Sequence, residues 1–262
     1  MKRPIIAIII CLLTTLSVTG QSRKTNTLYD SLRYYNFSHL WHADSVLNLE
    51  FLDGAVSSEP RKFRFPEPLG YIGNNYQRFY IHFISVQKDK ADPYTYNVKG
   101  KTRVKDNICS FTGTFHIDSV ELNPDSNVGD SFRRATFDIS VVLKEDTGCP
   151  HSGTITASLE TDWVFYKKKP YYDNLYGVAD GYCNNQATGQ WKSYDGRLTK
   201  KCNWGDERMP DSKELDDGAG DVGIDEKYIQ YGWQNFCNAY NGGTTEAIRI
   251  KALAEEEREW WK

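Results

Sequence analysis

The sequence predicts a mainly β protein: a curved antiparallel sheet, barrel or sandwich, with helices added at the C-terminus. Three observations predict it. Aromatic residues make up 14% of the 262-residue chain while all hydrophobic residues reach 39%, so a core must be built largely from Tyr, Phe and Trp, which suit pleated sheets. Period-two alternation runs through residues 78–86, 94–104, 135–143 and 155–166, most plainly in Phe137, Ile139, Val141 and Leu143. A related phrase also recurs, as Phe111-Thr112-Gly113-Thr114-Phe115, His151-Ser152-Gly153-Thr154-Ile155 and Ala187-Thr188-Gly189-Gln190-Trp191. Glycine inside a strand marks a bulge, a bend or a close backbone approach, and curved sheets need such places.

Residues 1–20 read as a signal peptide. Lys2 and Arg3 precede an apolar run over residues 5–16, and small residues lead to Gly20, where cleavage is expected. The run is too short to cross a bilayer core, so no transmembrane span is expected after its removal, and the chain is expected to be exported to the periplasm, cell surface or medium. Removing Lys2 and Arg3 from 32 basic residues leaves 30 against 35 acidic ones, a formal charge of −5. The basic clusters at residues 61–64 and 167–169 are short and separated, so no nucleic-acid partner is expected. Of six cysteines, Cys109, Cys149, Cys183, Cys202 and Cys237 outlast the leader; they allow two disulfides and one thiol, with the pairing open. No pair has C-x-x-C spacing, which argues against structural zinc or a thioredoxin-like redox pair. Beyond the leader the organisation reads as an irregular, short-helix segment over 21–70 and a β domain over 71–206. An acidic loop and C-terminal helices over 207–262 are expected to pack on that domain.

The most motif-like stretch is DGYCNNQATGQWKSYDGRLTKKCNWGD, residues 180–206. Asp195-Gly196 is the dipeptide of a two-residue type I′ loop, which sets Tyr194 opposite Arg197, Trp191 opposite Lys200 and Ala187 opposite Trp204. One face then collects Ala187, Gly189, Trp191, Cys202 and Trp204, and the other is mostly polar, so a hairpin with one buried face explains nearly every residue. The functional reading of the same stretch is a ligand surface. Trp191 or Trp204 would stack on a sugar ring, and Asn184, Asn185 and Gln186 would supply hydrogen bonds.

After Pro210 the pattern changes. Residues 212–226 are acidic and glycine-rich; Asp216, Asp217, Asp221 and Asp225 could gather around a hard cation, but the spacing fails the EF-hand template and a solvated loop is the expectation. Ile229, Trp233, Phe236 and Tyr240 form one helical stripe weakened by Gly232, and Thr244 or Thr245 can cap a last helix. Trp260-Trp261 reads as a packing anchor or a partner patch.

Other chemistry is sparse. His39 and His42 lack a third ligand at metal spacing, no G-x-S-x-G nucleophile motif occurs, and Asp162 beside Trp163 is the acid that sits oddly in a strand. No metal or cofactor is expected. The phrases at residues 100–109, 180–186 and 201–206 resemble uncharacterised exported β-rich proteins of gut-type Gram-negative bacteria, a resemblance that implies no activity and carries over no functional residue. The leading expectation is an exported non-catalytic binding protein for a glycan or a protein partner. The alternatives are a carboxylate-dependent glycan hydrolase, whose two acids would have to face each other across a cleft, and a structural or inhibitory interaction protein.

Overall fold

Alternation of large apolar and polar residues over strands of ten or more residues gives each strand one face of rings to bury, and rolling the strands around them is the solution this chain adopts. The computed structural model describes residues 28–42, 67–123 and 132–262, together with the short strands of residues 46–48, 51–52, 55–56 and 61–63. The expected leader lies outside the described residues.

Four short strands come first: β1 (Val46–Asn48), β2 (Phe51–Leu52), β3 (Ala55–Val56) and β4 (Arg61–Phe63). Then β5 (Leu69–Ile72), β6 (Gln77–Lys88), β7 (Thr95–Val104), β8 (Asn107–Leu122), β9 (Phe132–Glu145) and β10 (Gly153–Tyr166) follow as an antiparallel meander. After β11 (Lys169–Tyr172) come β12 (Asn184–Ser193) and β13 (Thr199–Asp206). Strand β12 pairs with the first half of β10, and β13 pairs with β5. The ring β5-β6-β7-β8-β9-β10-β12-β13 therefore closes into an eight-stranded antiparallel barrel. The second half of β10 continues past the ring and pairs with β11.

Parity decides what faces inward. On β9 the buried residues are Ala135, Phe137, Ile139, Val141, Leu143 and Glu145, and on β8 they include Cys109, Phe111, Phe115 and Ile117. Register shifts between Phe83 and Ser85 and between Ile117 and Ser119 bend β6 and β8, as closure requires. The recurring glycines mark close approaches between strands. A Cβ on Gly113 would lie 2.0 Å from the Val142 carbonyl oxygen, and one on Gly189 would lie 2.5 Å from the Ala157 Cβ.

One end of the barrel is plugged by residues 28–42. Phe37, Leu40 and Trp41 are buried there: Phe37 meets Phe137 and Trp163 edge-on at 4.9 and 5.2 Å, and Trp41 meets Tyr96 at 4.9 Å. The Phe37 N–H donates to Tyr96 Oη at 3.1 Å, the Trp41 indole donates to Thr161 Oγ1 at 2.9 Å, and Lys88 Nζ donates to the carbonyls of Leu32, Arg33 and Tyr35.

The segment after Asp206 covers the outside of the wall. Tyr71, facing outward from β5, joins Met209, Leu215, Ile224, Trp233 and Phe236 in a second core. The expected single helix over the stripe at 229–240 is instead two pieces, a 3-10 helix Glu226–Tyr231 and helix α1 (Gln234–Tyr240). Gly232 parts them, because it caps the first piece at φ 96°, a left-handed conformation. Thr245 caps helix α2 (Glu246–Glu256), its side chain accepting from the Ile248 N–H. Trp260 is buried, and Trp261 stacks on His82 with ring centroids 3.7 Å apart, so both rings pack on the barrel wall.

The hairpin register holds, with Trp191 opposite Lys200 and Ala187 opposite Trp204, but the turn differs from a type I′ loop. The Ser193 N–H donates to the Leu198 carbonyl and the Gly196 N–H to the Ser193 carbonyl, so four residues form the loop and Gly196 alone takes positive φ. A tight turn over 193–196 that ends on the left-handed Gly196 meets the strands in the same register as a two-residue loop. Among the described residues one disulfide forms, Cys109–Cys149, while Cys183, Cys202 and Cys237 are free.

Candidate functional site

Opposite the plug, the β5–β6, β7–β8, β9–β10 and β12–β13 connections surround an open mouth. A cavity of about 860 Å³ runs from it into the barrel. That volume lies within the usual range for small-molecule sites of roughly 300–1,000 Å³. Its wall mixes Phe79, Ile72 and Leu198 with Gln77, Asn75 and Asn107.

Each side chain at the floor is placed by strand parity. Thr102 follows Val98 and Gly100 on the inward face of β7, Glu145 follows Val141 and Leu143 on β9, and Trp191 follows Ala187 and Gly189 on β12. Glu145 is only 7% exposed. Its Oε1 accepts from Thr102 Oγ1 at 2.5 Å, and its Oε2 accepts from the Gly153 N–H at 2.9 Å and the Trp191 indole N–H at 2.8 Å. Three donors hold this carboxylate, so about three of its four lone-pair sites are engaged before any ligand arrives. Trp191 is 6% exposed, and the Lys200 ammonium stands 6.0 Å from its ring centroid. The Cys109–Cys149 disulfide and the Asn107 Nδ2–Pro150 carbonyl hydrogen bond (2.9 Å) tie the β9–β10 loop to the start of β8, fixing the rim.

The five residues singled out in the hairpin are not brought together. Trp191 lines the mouth, but Trp204 is 1% exposed and lies inside the barrel toward the plug, near Trp41 and Leu159. Asn184 binds the backbone of Asp162 through both ends of its amide. Asn185 accepts from Thr161 Oγ1 and donates to the Leu40 carbonyl and to Asp206 Oδ2. Gln186 donates to the carbonyls of Asn184 and Arg208. The amides precede Trp191 along the extended strand at about 3.4 Å per residue, which carries them to the opposite end of β12, where they satisfy protein groups.

Near the plug, parity also turns Asp206 inward after Cys202 and Trp204. Burial pushes its carboxyl up to about 8, against the opposing hydrogen bonds from Tyr172 Oη (2.9 Å) and Asn185 Nδ2 (2.7 Å) to Oδ2. Its Oδ1 has no partner among the described residues. Neither Glu145 nor Asp206 stood out in the sequence, although both complete an inward-facing series whose period is visible there.

The remaining candidates have local duties. Asp162 is half-buried and accepts from Thr136 Oγ1 at 2.5 Å, and His39 Nε2 lies 3.0 Å from the Pro170 carbonyl, its pKa lowered by burial. Asp216 organises the acidic loop by accepting from Arg208 Nη1 and from the N–H groups of Gly218 and Gly223. Among the described residues no group of three or more His, Cys, Asp or Glu is placed to hold a metal, and no helix is long and apolar enough to cross a membrane.

In comparisons with known proteins, no family model, no curated protein and no solved structure matches this chain.

Proposed function

We propose that the protein is an exported, non-catalytic binding protein whose barrel mouth takes a small glycan or a similar hydroxyl-bearing ligand. The observation that carries this reading is the cavity of about 860 Å³, with an aromatic floor and an amide-lined wall. A concave site of this size suits a small molecule, whereas a protein partner needs a broad, flatter face. Apolar rings next to amides match a sugar, whose C–H faces are apolar and whose hydroxyls need partners. Export is supported by the Cys109–Cys149 bridge, a bond favoured in oxidising compartments, together with the leader-like start.

The hydrolase alternative is less well supported. Glycoside hydrolysis needs one carboxyl to deliver a proton and a second to act across the bond. Glu145, the deep carboxylate of the cavity, is held by three donors, and the other acids there, Asp106 and Asp195, are exposed at the rim.

Isothermal titration against a panel of mono- and oligosaccharides tests the proposal, with Asn75→Ala and Lys200→Ala as mouth variants. A sugar that binds the native protein and loses about tenfold in affinity in each variant supports it, since such a loss corresponds to one or two ligand hydrogen bonds. Binding unchanged in both variants, or reducing-sugar release by the native protein, overturns it.

A further inference from the structure

A second cavity, of about 520 Å³, opens on the outside of the barrel between β6, the loop before β12, the segment after β13 and the C-terminal helices. At its inner wall stand Arg78 and Glu256, whose side chains are 4% and 6% exposed. They form an ion pair through Arg78 Nη2 and Glu256 Oε2 at 3.3 Å. The guanidinium carbon lies 4.2 Å from the Trp233 ring centroid, 4.7 Å from that of Tyr80 and 5.3 Å from that of Phe236. Ring faces attract a cation but do not replace hydrogen-bond acceptors for its in-plane N–H groups. Accordingly Arg78 Nε and Nη1, and Glu256 Oε1, find no hydrogen-bond partner among the described residues.

Two facing buried groups, one with donors and one with an acceptor left over, define a complementary ligand. Buried polar groups are nearly always satisfied, and an unsatisfied one costs about 1–3 kcal/mol, more when charged. The cavity is far larger than the roughly 30 Å³ share of one water molecule. The balance of charge sets the ligand's sign. Glu67, Glu207, Asp221 and Glu256 line the cleft against Arg78 and Arg208, two more acids than bases. Arg208 is already held by Asp216 and by the carbonyls of Gly218 and Gly220, and Glu67 by His82 Nδ1 at 3.0 Å, which leaves Glu207, Asp221 and Glu256 facing Arg78. Phe236 and Tyr240 supply an apolar lip, Tyr240 being 55% exposed.

We propose that this lateral cleft is a second binding site, specific for a small primary amine that carries an oxygen acceptor close to its ammonium group. The oxygen accepts from Arg78, and the ammonium donates to Glu256 and to the carboxylates nearer the lip. An amino sugar and an amino-acid amide share this chemistry.

Calorimetric titration of the full chain with glucosamine and with glycinamide tests the proposal and separates the two sources. N-acetylglucosamine and glucose serve as probes without the ammonium. The expected result is saturable binding of at least one amine, with both amine-free probes about tenfold weaker or worse, the loss of one charge-assisted hydrogen bond. Glu256→Gln weakens the amine by a similar factor, Asp221→Asn at the exposed lip weakens it less, and Lys200→Ala at the barrel mouth leaves it unchanged. No binding of either amine, N-acetylglucosamine binding that Lys200→Ala leaves intact and that equals the amine's, or unchanged affinity in Asp221→Asn together with Glu256→Gln overturns the proposal. If Glu256→Gln fails to fold, Asp221→Asn and the acetylated probe decide. Because Lys200→Ala reports on the mouth alone, failure at one site is distinguishable from failure at the other.

Discussion

Glu145 and Asp206 are both inward-facing acids of the barrel, and their surroundings treat them in opposite ways. Glu145 receives three donors, two of them on one oxygen. Replacing it with Ala orphans the Thr102 hydroxyl, the Gly153 N–H and the Trp191 indole together, at an expected cost of about 3 kcal/mol or more in urea unfolding. Asp206 receives two donors on one oxygen, and its carboxyl rises to about 8 because burial penalises the charge. A carboxyl whose folded pKa exceeds its unfolded value of about 3.9 binds more protons when folded, so stability falls as pH rises between the two values. The contribution is fully present below about pH 4 and is lost by about pH 8, a difference on the order of 5 kcal/mol. Urea midpoints at pH 5 and pH 8 measure it: the native protein should lose stability over this range, and Asp206→Asn, which keeps the acceptor for Tyr172 and Asn185, should lose much less. An equal loss in both would assign the slope to another group.

At the scale of elements, the plug and the disulfide hold the two ends. Phe37 is fully buried between Phe137 and Trp163, and Phe37→Ala should cost about 3–5 kcal/mol, measured by thermal or urea unfolding. A loss under about 1 kcal/mol would mean that the plug is not seated in solution. The disulfide closes a loop with a sequence separation of 40. On the chain-entropy estimate its removal in a Cys109→Ser, Cys149→Ser double variant costs about 4 kcal/mol. The hairpin at residues 187–204 was legible in advance, since parity and the Asp195-Gly196 turn set its register and either turn geometry gives the same pairs, while the shift between Asn184 and Ala187 was not. The ligand surface drawn on it was not, because Asn184, Asn185 and Trp191 lie on one strand yet at opposite ends of a barrel. The break at Gly232 was visible only as a weak position. Its cause is tertiary: Gly232 passes within 3.0 Å of the Arg78 side chain, measured from an added Cβ. The cysteine pairing depends on the loop that brings Cys149 back to β8, which no local signal encodes.

For the whole molecule, alternation predicted a curved sheet but could not choose between barrel and sandwich. That choice rests on the pairing of β13 with β5, the first and last strands of the ring, and on bulges that leave little trace in composition. The barrel also relies on its covering. A chain ending at Asp206 would uncover Tyr71, Asn203 and Arg78, and should bind an apolar dye strongly and lose cooperative unfolding; a soluble, cooperatively folding product would show that residues 207–262 are dispensable. The plug has one more consequence. Tyr29 stacks on Tyr94 and its hydroxyl donates to the Ile117 carbonyl, so residues 28–42 are fastened across the pole opposite the mouth. With that pole stoppered by its own chain, solvent enters the ring through the opposite opening.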